Sequence, residues 1–96
     1  MEQLNSKAEV SPVPTPPPPP IPSLGRIVHY IPESETDVTA SNHAEVVPAL
    51  VVRVWDGLLV NLQVVIDGEK GTAWKTSVPY NADKKPGTWH WPEIKK

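Results

Sequence analysis

Trp89, His90 and Trp91 stand side by side in the run PGTWHWPE, residues 86–93, and they are the densest group of chemically useful side chains in the sequence. If that run is extended, alternate residues share a face, so both indoles point one way and His90 the other. Together with Tyr30, Trp74 and Tyr80 they would form an aromatic wall for a base, a ring or a proline. The structural alternative is that the two rings plug one end of a small β domain, which is their commoner use, with at least one Trp left partly exposed. A second pair, Arg53 and Trp55, lies two residues apart, a spacing that lets a guanidinium and an indole stack on each other or grip one ligand. Arg53 would pair with an anionic group and Lys75 would assist if its strand is adjacent. The competing reading is an Arg stem that covers an apolar patch.

The residue types that carry catalysis do not assemble into a known constellation. His29, His43 and His90 lack the spacing of a metal-binding helix or turn. No G-x-S-x-G, P-loop or G-x-G-x-x-G occurs, and the five glycines sit mostly in turns. Glu33, Glu35 and Asp37 cluster in one polar loop, where carboxylates are more often solvated than catalytic. The expectation is a chain with no catalytic residues, no metal and no cofactor, whose aromatic and basic groups bind.

Composition narrows the setting. The chain has 96 residues, no cysteine, four Trp, no Phe and a net charge of −2. No disulfide or thiolate site supports the fold, and nothing points to an oxidising compartment. The longest apolar run is too short and interrupted to cross a bilayer. MEQLNSKAEV at the start has no basic region followed by an apolar stretch, so it does not read as a secretion signal. A soluble cytoplasmic protein with no membrane partner is expected. The scattered Lys and Arg of a weakly acidic chain disfavour nucleic acid as a partner.

The elements that must position these residues begin after a proline-rich leader. Residues 1–24 contain SPVPTPPPPPIPSL. A run of prolines cannot donate backbone hydrogen bonds, so this segment reads as a polyproline II rod or a disordered tail. It serves either as a spacer or as a docking peptide for an aromatic-lined groove. The second unit, 25–96, reads as a small all-β domain. Gly25–Ile31 is a first strand stopped by Pro32, and Glu33–Ala44 is a polar loop of about a dozen residues, a length at which loops tend to be functional or mobile. The centre of the domain is Pro48–Asp67, PALVVRVWDGLLVNLQVVID, in which two alternating strands meet at Asp56-Gly57.

A three-residue loop, Trp55–Gly57 with Gly57 left-handed, would set Val54 opposite Leu58, Val52 opposite Val60 and Leu50 opposite Leu62. Both apolar sets then share one face, and Val51, Arg53, Leu59, Asn61 and Gln63 line the other. Gly68–Gly71 turns into a fourth strand, Thr72–Tyr80, where Trp74, Thr76, Val78 and Tyr80 oppose Ala73, Lys75 and Ser77. Thr88–Pro92 closes as a short last strand. Five short strands after a long first loop predict an SH3-like barrel. A domain this small is marginal alone, and at roughly 25 cal/mol per Å2 its Trp side chains add burial effectively. Limited burial and open edges both favour a homo-oligomer.

Val28-His29-Tyr30, Pro48-Ala49, Val51–Trp55, Asn61–Val64, Asp67-Gly68, Trp74, Thr76–Val78, Tyr80 and Pro86–Glu93 form a series of blocks. In that order they resemble a group of short bacteriophage-encoded proteins that end in a similar PGTWHWPE box and carry no assigned activity. The likeness covers residues 25 to 93. The turn after Asp67 is shorter here than in that group, so no function of that loop carries over. What the resemblance implies is a setting: a phage protein working in the host cytoplasm. In that setting the expected function is non-enzymatic capture of a host protein or a small nucleotide-type ligand, to blunt a defence or redirect a process. Trp55, Arg53, Trp74, Lys75, Tyr80, Trp89, His90, Trp91 and Tyr30 are the expected ligand contacts. The alternatives are a virion accessory or decoration protein tethered by the leader, and an SH3-like nucleic-acid-binding protein.

Overall fold

The computed structural model describes residues 18–93. Five strands, β1 (Ile27–Tyr30), β2 (Val47–Asp56), β3 (Leu59–Val65), β4 (Thr72–Val78) and β5 (Trp89–His90), make one antiparallel sheet in the order β4-β3-β2-β1-β5. The protein is all-β; β1, β3, β4 and β5 fall inside the segments expected of them, whereas β2 begins one residue earlier, at Val47, and runs on through Trp55 and Asp56, which were expected in the loop. The only helical turns among the described residues are 3-10 turns within Val38–His43, in the first loop. No helix among these residues is long and apolar enough to cross a membrane.

The sheet is not closed, which departs from the expected barrel. β4 and β5 are its two ends, and β5 is two residues long, too short to build a ladder. The ends are drawn together at one isolated parallel bridge between Tyr80 and Trp89. There the Trp89 N–H donates to Pro79 O and the Asn81 N–H donates to Trp89 O, each at 3.0 Å.

The central hairpin corrects the expected register. Asp56 pairs with Leu59, so the loop is the two-residue Gly57-Leu58, with Gly57 left-handed at φ +58° where only glycine sits without strain. Val54 then lies opposite Val60 and Leu50 opposite Gln63. The two apolar faces are brought into phase by irregularities within β2, between Val51 and Arg53 and between Val54 and Asp56, instead of by the loop. As a result Val47, Ala49 and Val51 face the core, whereas Leu50 and Val52 point out, 36% and 38% exposed. Val51 therefore leaves the outer set in which the alternation had placed it. β1 decides the matter, since it lays Val28 beside Ala49 and Tyr30 beside Val47. Val60, Leu62 and Val64 face inward as expected.

The first loop is tied down at Asp37, which is not the solvated carboxylate expected there. Its Oδ1 accepts the Thr39 N–H at 3.0 Å, and its Oδ2 accepts the Glu33 N–H at 3.1 Å and the Lys75 ammonium at 3.2 Å. Burial raises the Asp37 pKa, but those backbone donors, the Thr39 side chain and Lys75 outweigh it and hold the group at about 2 against the usual 3.8. Asn42 Nδ2 also donates to Asp67 O at 2.9 Å, fastening the same loop to the β3–β4 turn.

Residues 1–17, and with them most of the proline-rich leader, lie outside the described residues. The remainder, 18–24, runs along the body into a turn at Gly25, whose N–H donates to Val51 O at 2.8 Å.

Candidate functional site

The aromatic residues divide into a buried ladder and an exposed face. Trp89 and Tyr30 are fully enclosed. The Trp89 indole N–H donates to Leu58 O at 2.8 Å, and its ring meets Tyr80 edge-on at 5.0 Å and Trp91 at 5.4 Å. Trp89 thus plugs the body, and neither it nor Tyr30 presents a surface to a ligand. Burial pushes the Tyr30 phenol well above its usual range, and the charges of Asp37 and Glu33 add to this, so it stays protonated. Tyr80 is half-buried behind Trp89.

The outer face of the sheet carries Arg53, Trp55, Asn61 and Trp74. Arg53 and Asn61 are cross-strand partners, and the Arg53 guanidinium carbon lies 3.9 Å from the centre of the Trp55 ring. The Trp55 indole N–H donates to Asn61 Oδ1 at 2.8 Å. That same oxygen accepts the Thr76 hydroxyl at 3.0 Å and the Ser77 backbone N–H at 2.8 Å. Three donors converging on one atom identify it as the carbonyl oxygen of the amide. Asn61, although it points away from the core, is almost wholly buried by these partners. Ser77 sits at φ +55°, left-handed, where β3 and β4 shift register, and that kink aims its N–H at Asn61. The result is a braced clamp in which an indole is held by its edge from below and covered by a cation from one side.

Next to the clamp lies a row that is apolar except for Gln63. Ile27, Leu50, Gln63 and Trp74 follow one another across β1, β2, β3 and β4 by strand register. Trp74 is 57% exposed and Trp55 48% exposed, large values for indoles in so small a body. Lys75 does not join them. Its strand is separated from β2 by β3, it pairs with Leu62 on the core side, and its ammonium is committed to Asp37.

His90 lies on a third surface. It is 5% exposed, its ring meets His29 edge-on at 5.6 Å, and both line a cleft of about 470 Å3 with Ile31, Glu45, Val46 and Lys84. Burial, then the positive charge of Lys84 and the neighbouring His29, push its pKa down, with Glu93 opposing. Its Nδ1 is enclosed without a hydrogen-bond partner. Among the described residues no three His, Cys, Asp or Glu side chains are placed to hold a metal ion.

Trp91 stands apart at the surface end of the buried ladder, with Arg26 over its ring at 5.5 Å. Of the expected contacts, then, only Arg53, Trp55 and Trp74 share one exposed face. Sequence reasoning overlooked the role of Asn61, whose single signal is an amide between Val60 and Leu62 in a strand whose one other polar residue is Gln63. It also overlooked Arg26, which no spacing links to Trp91. Comparison with protein-family models, with curated proteins and with solved structures found no match to this chain.

Proposed function

We propose that this chain is a phage-encoded, non-enzymatic binding module that acts in the host cytoplasm and captures a host protein or a small nucleotide-type ligand on the outer face of its sheet. The observation that carries this reading is the Arg53–Trp55 clamp braced by Asn61, with Trp74 exposed on the same face. An exposed indole fixed by a hydrogen bond loses little freedom on binding, so it offers a flat apolar surface at low entropic cost. The guanidinium beside it supplies a charge for a phosphate or carboxylate, and an aromatic face accepts any base. The apolar row Ile27, Leu50 and Trp74 suits the larger footprint of a protein partner, and it also supports self-association. The strand order, with a long loop between the first two strands, supports an SH3-like architecture.

Calorimetry and thermal shift against a panel of cyclic nucleotides test the small-ligand form. A raised Tm that Arg53→Ala abolishes supports it, and no shift with any member removes it. Affinity capture from host lysate tests the protein form: a partner retained by the intact chain and lost with Trp74→Ser supports it. Capture unaffected by both Trp74→Ser and Arg53→Ala removes the outer face as the site.

A further inference from the structure

Trp91 donates its indole N–H to the backbone carbonyl of Pro20 at 3.2 Å, across 71 residues of sequence. The contact belongs to a small groove. It is lined by Pro20, Ile21, Pro22 and Ser23 together with Arg26 and Trp91, around an open space of about 320 Å3, and Pro22 is buried. Arg26 lies over the Trp91 ring, and Trp91 in turn rests edge-on against the buried Trp89. The indole is therefore held on two sides while its N–H points at the incoming chain.

The chemistry of this groove matches proline. A proline-rich segment has carbonyl acceptors but no N–H donors, and in polyproline II it makes no internal hydrogen bonds, so its carbonyls project outward. Indole is a donor without an acceptor, attached to a flat apolar ring against which a pyrrolidine can pack. A segment already restricted by its prolines also loses little entropy on docking.

We propose that Arg26 and Trp91 form a recognition site for proline-rich polypeptide, occupied in cis by the chain's own residues 20–22 and open to a proline-rich segment of a partner protein that displaces them. The tether fixes the direction of the competition. Pro20 is joined to Arg26 through a short turn, so its effective concentration at the groove is of order millimolar, and a weak partner is excluded until it offers further contacts. Exchange of leaders between two copies gains no contact over the cis arrangement and adds the cost of association, so a second copy is not the occupant. The groove shares no residue with the outer-face clamp, so its failure leaves that reading standing, and the reverse holds.

The test uses the full chain. In one variant Pro16 to Pro20 are all replaced by serine, which leaves the buried Pro22 in place, and the synthetic peptide SPVPTPPPPPIP is titrated in. The indole N–H resonances are followed by NMR. That of Trp89, bonded to Leu58 O inside the body, reports that the fold is intact. The expected result is a saturable shift of the Trp91 resonance in the serine variant, with the intact chain needing about tenfold more peptide or higher. Trp91→Phe, introduced into the serine variant and followed through Arg26, should remove the binding. No saturable shift in the serine variant while the Trp89 signal holds overturns the proposal, as does undiminished binding by Trp91→Phe. A concentration-dependent dimer of the intact chain that the serine variant loses also overturns it, by assigning the groove to leader exchange.

Discussion

Asn61 holds three donors on one oxygen, so its removal is costly out of proportion to its size. Asn61→Ala leaves the Ser77 N–H and the Trp55 indole N–H without acceptors in a partly buried place, and each unmet group costs about 1–3 kcal/mol. Urea unfolding should show a loss of roughly 2–5 kcal/mol for Asn61→Ala. Asn61→Asp, which keeps an acceptor oxygen, should recover most of that at neutral pH. Equal losses for the two would mean that shape, not acceptance, is what the position requires.

The titrating residues set how stability varies with pH. The His90 pKa is lowered in the folded state from its usual 6.5, first by burial and then by Lys84 and His29. The unfolded chain therefore takes up that proton before the folded one does, and the stability present above pH 6.5 is lost as the pH falls through and below it. Asp37 acts the same way lower down: its contribution is whole above 3.8 and drains away as the pH approaches 2. Its charge is worth roughly 2 kcal/mol at neutral pH. Urea midpoints measured from pH 7 downward should fall in two stages, with His90→Phe flattening the upper stage and Asp37→Asn the lower. A single transition unaffected by either variant would contradict these assignments.

Among the elements, β2 shows most clearly what a pattern of residues can and cannot specify. Both of its alternations are apolar: Val47, Ala49 and Val51 on one side, Leu50, Val52 and Val54 on the other. A period of two identifies the strand but does not choose its inward face. The choice falls to the neighbours, because β1 pairs Val28 with Ala49 and the irregularities after Val51 return Val54 toward the core. Val51→Ala should therefore cost about 2 kcal/mol, while Val52→Ala should stay within about 0.5 kcal/mol. Thermal denaturation of the pair separates the two registers directly, since the alternative register predicts the reverse order. The C-terminal box behaves differently. Alternation correctly put Trp89 and Trp91 in one contiguous aromatic group, but only packing made Trp89 the plug and left Trp91 at the surface.

Across the whole molecule, the open sheet separates the residues that hold the fold from those free to bind. The core is Val28, Tyr30, Val47, Ala49, Val51, Val60, Leu62, Val64, Val78 and Trp89, all on one side of the sheet. The outer side keeps Trp74 more than half exposed, so Trp74→Ser should leave the stability nearly unchanged, within about 0.5 kcal/mol, while weakening capture or self-association at the outer face. Sedimentation and calorimetry on the same sample check both halves, and a variant that unfolds would place Trp74 in the core.

The strands and the glycine at the hairpin tip were settled by residues close together in the chain, because alternation, turn chemistry and the left-handed backbone are local properties, whereas the place of β5 beside β1 rests on Tyr30 meeting Trp89. Which of two apolar faces turned inward, how Asp37 reached Lys75, and how Pro20 came to lie on Trp91 were settled only by folding. Those contacts join residues far apart in sequence, and their energies depend on burial that no single segment possesses by itself.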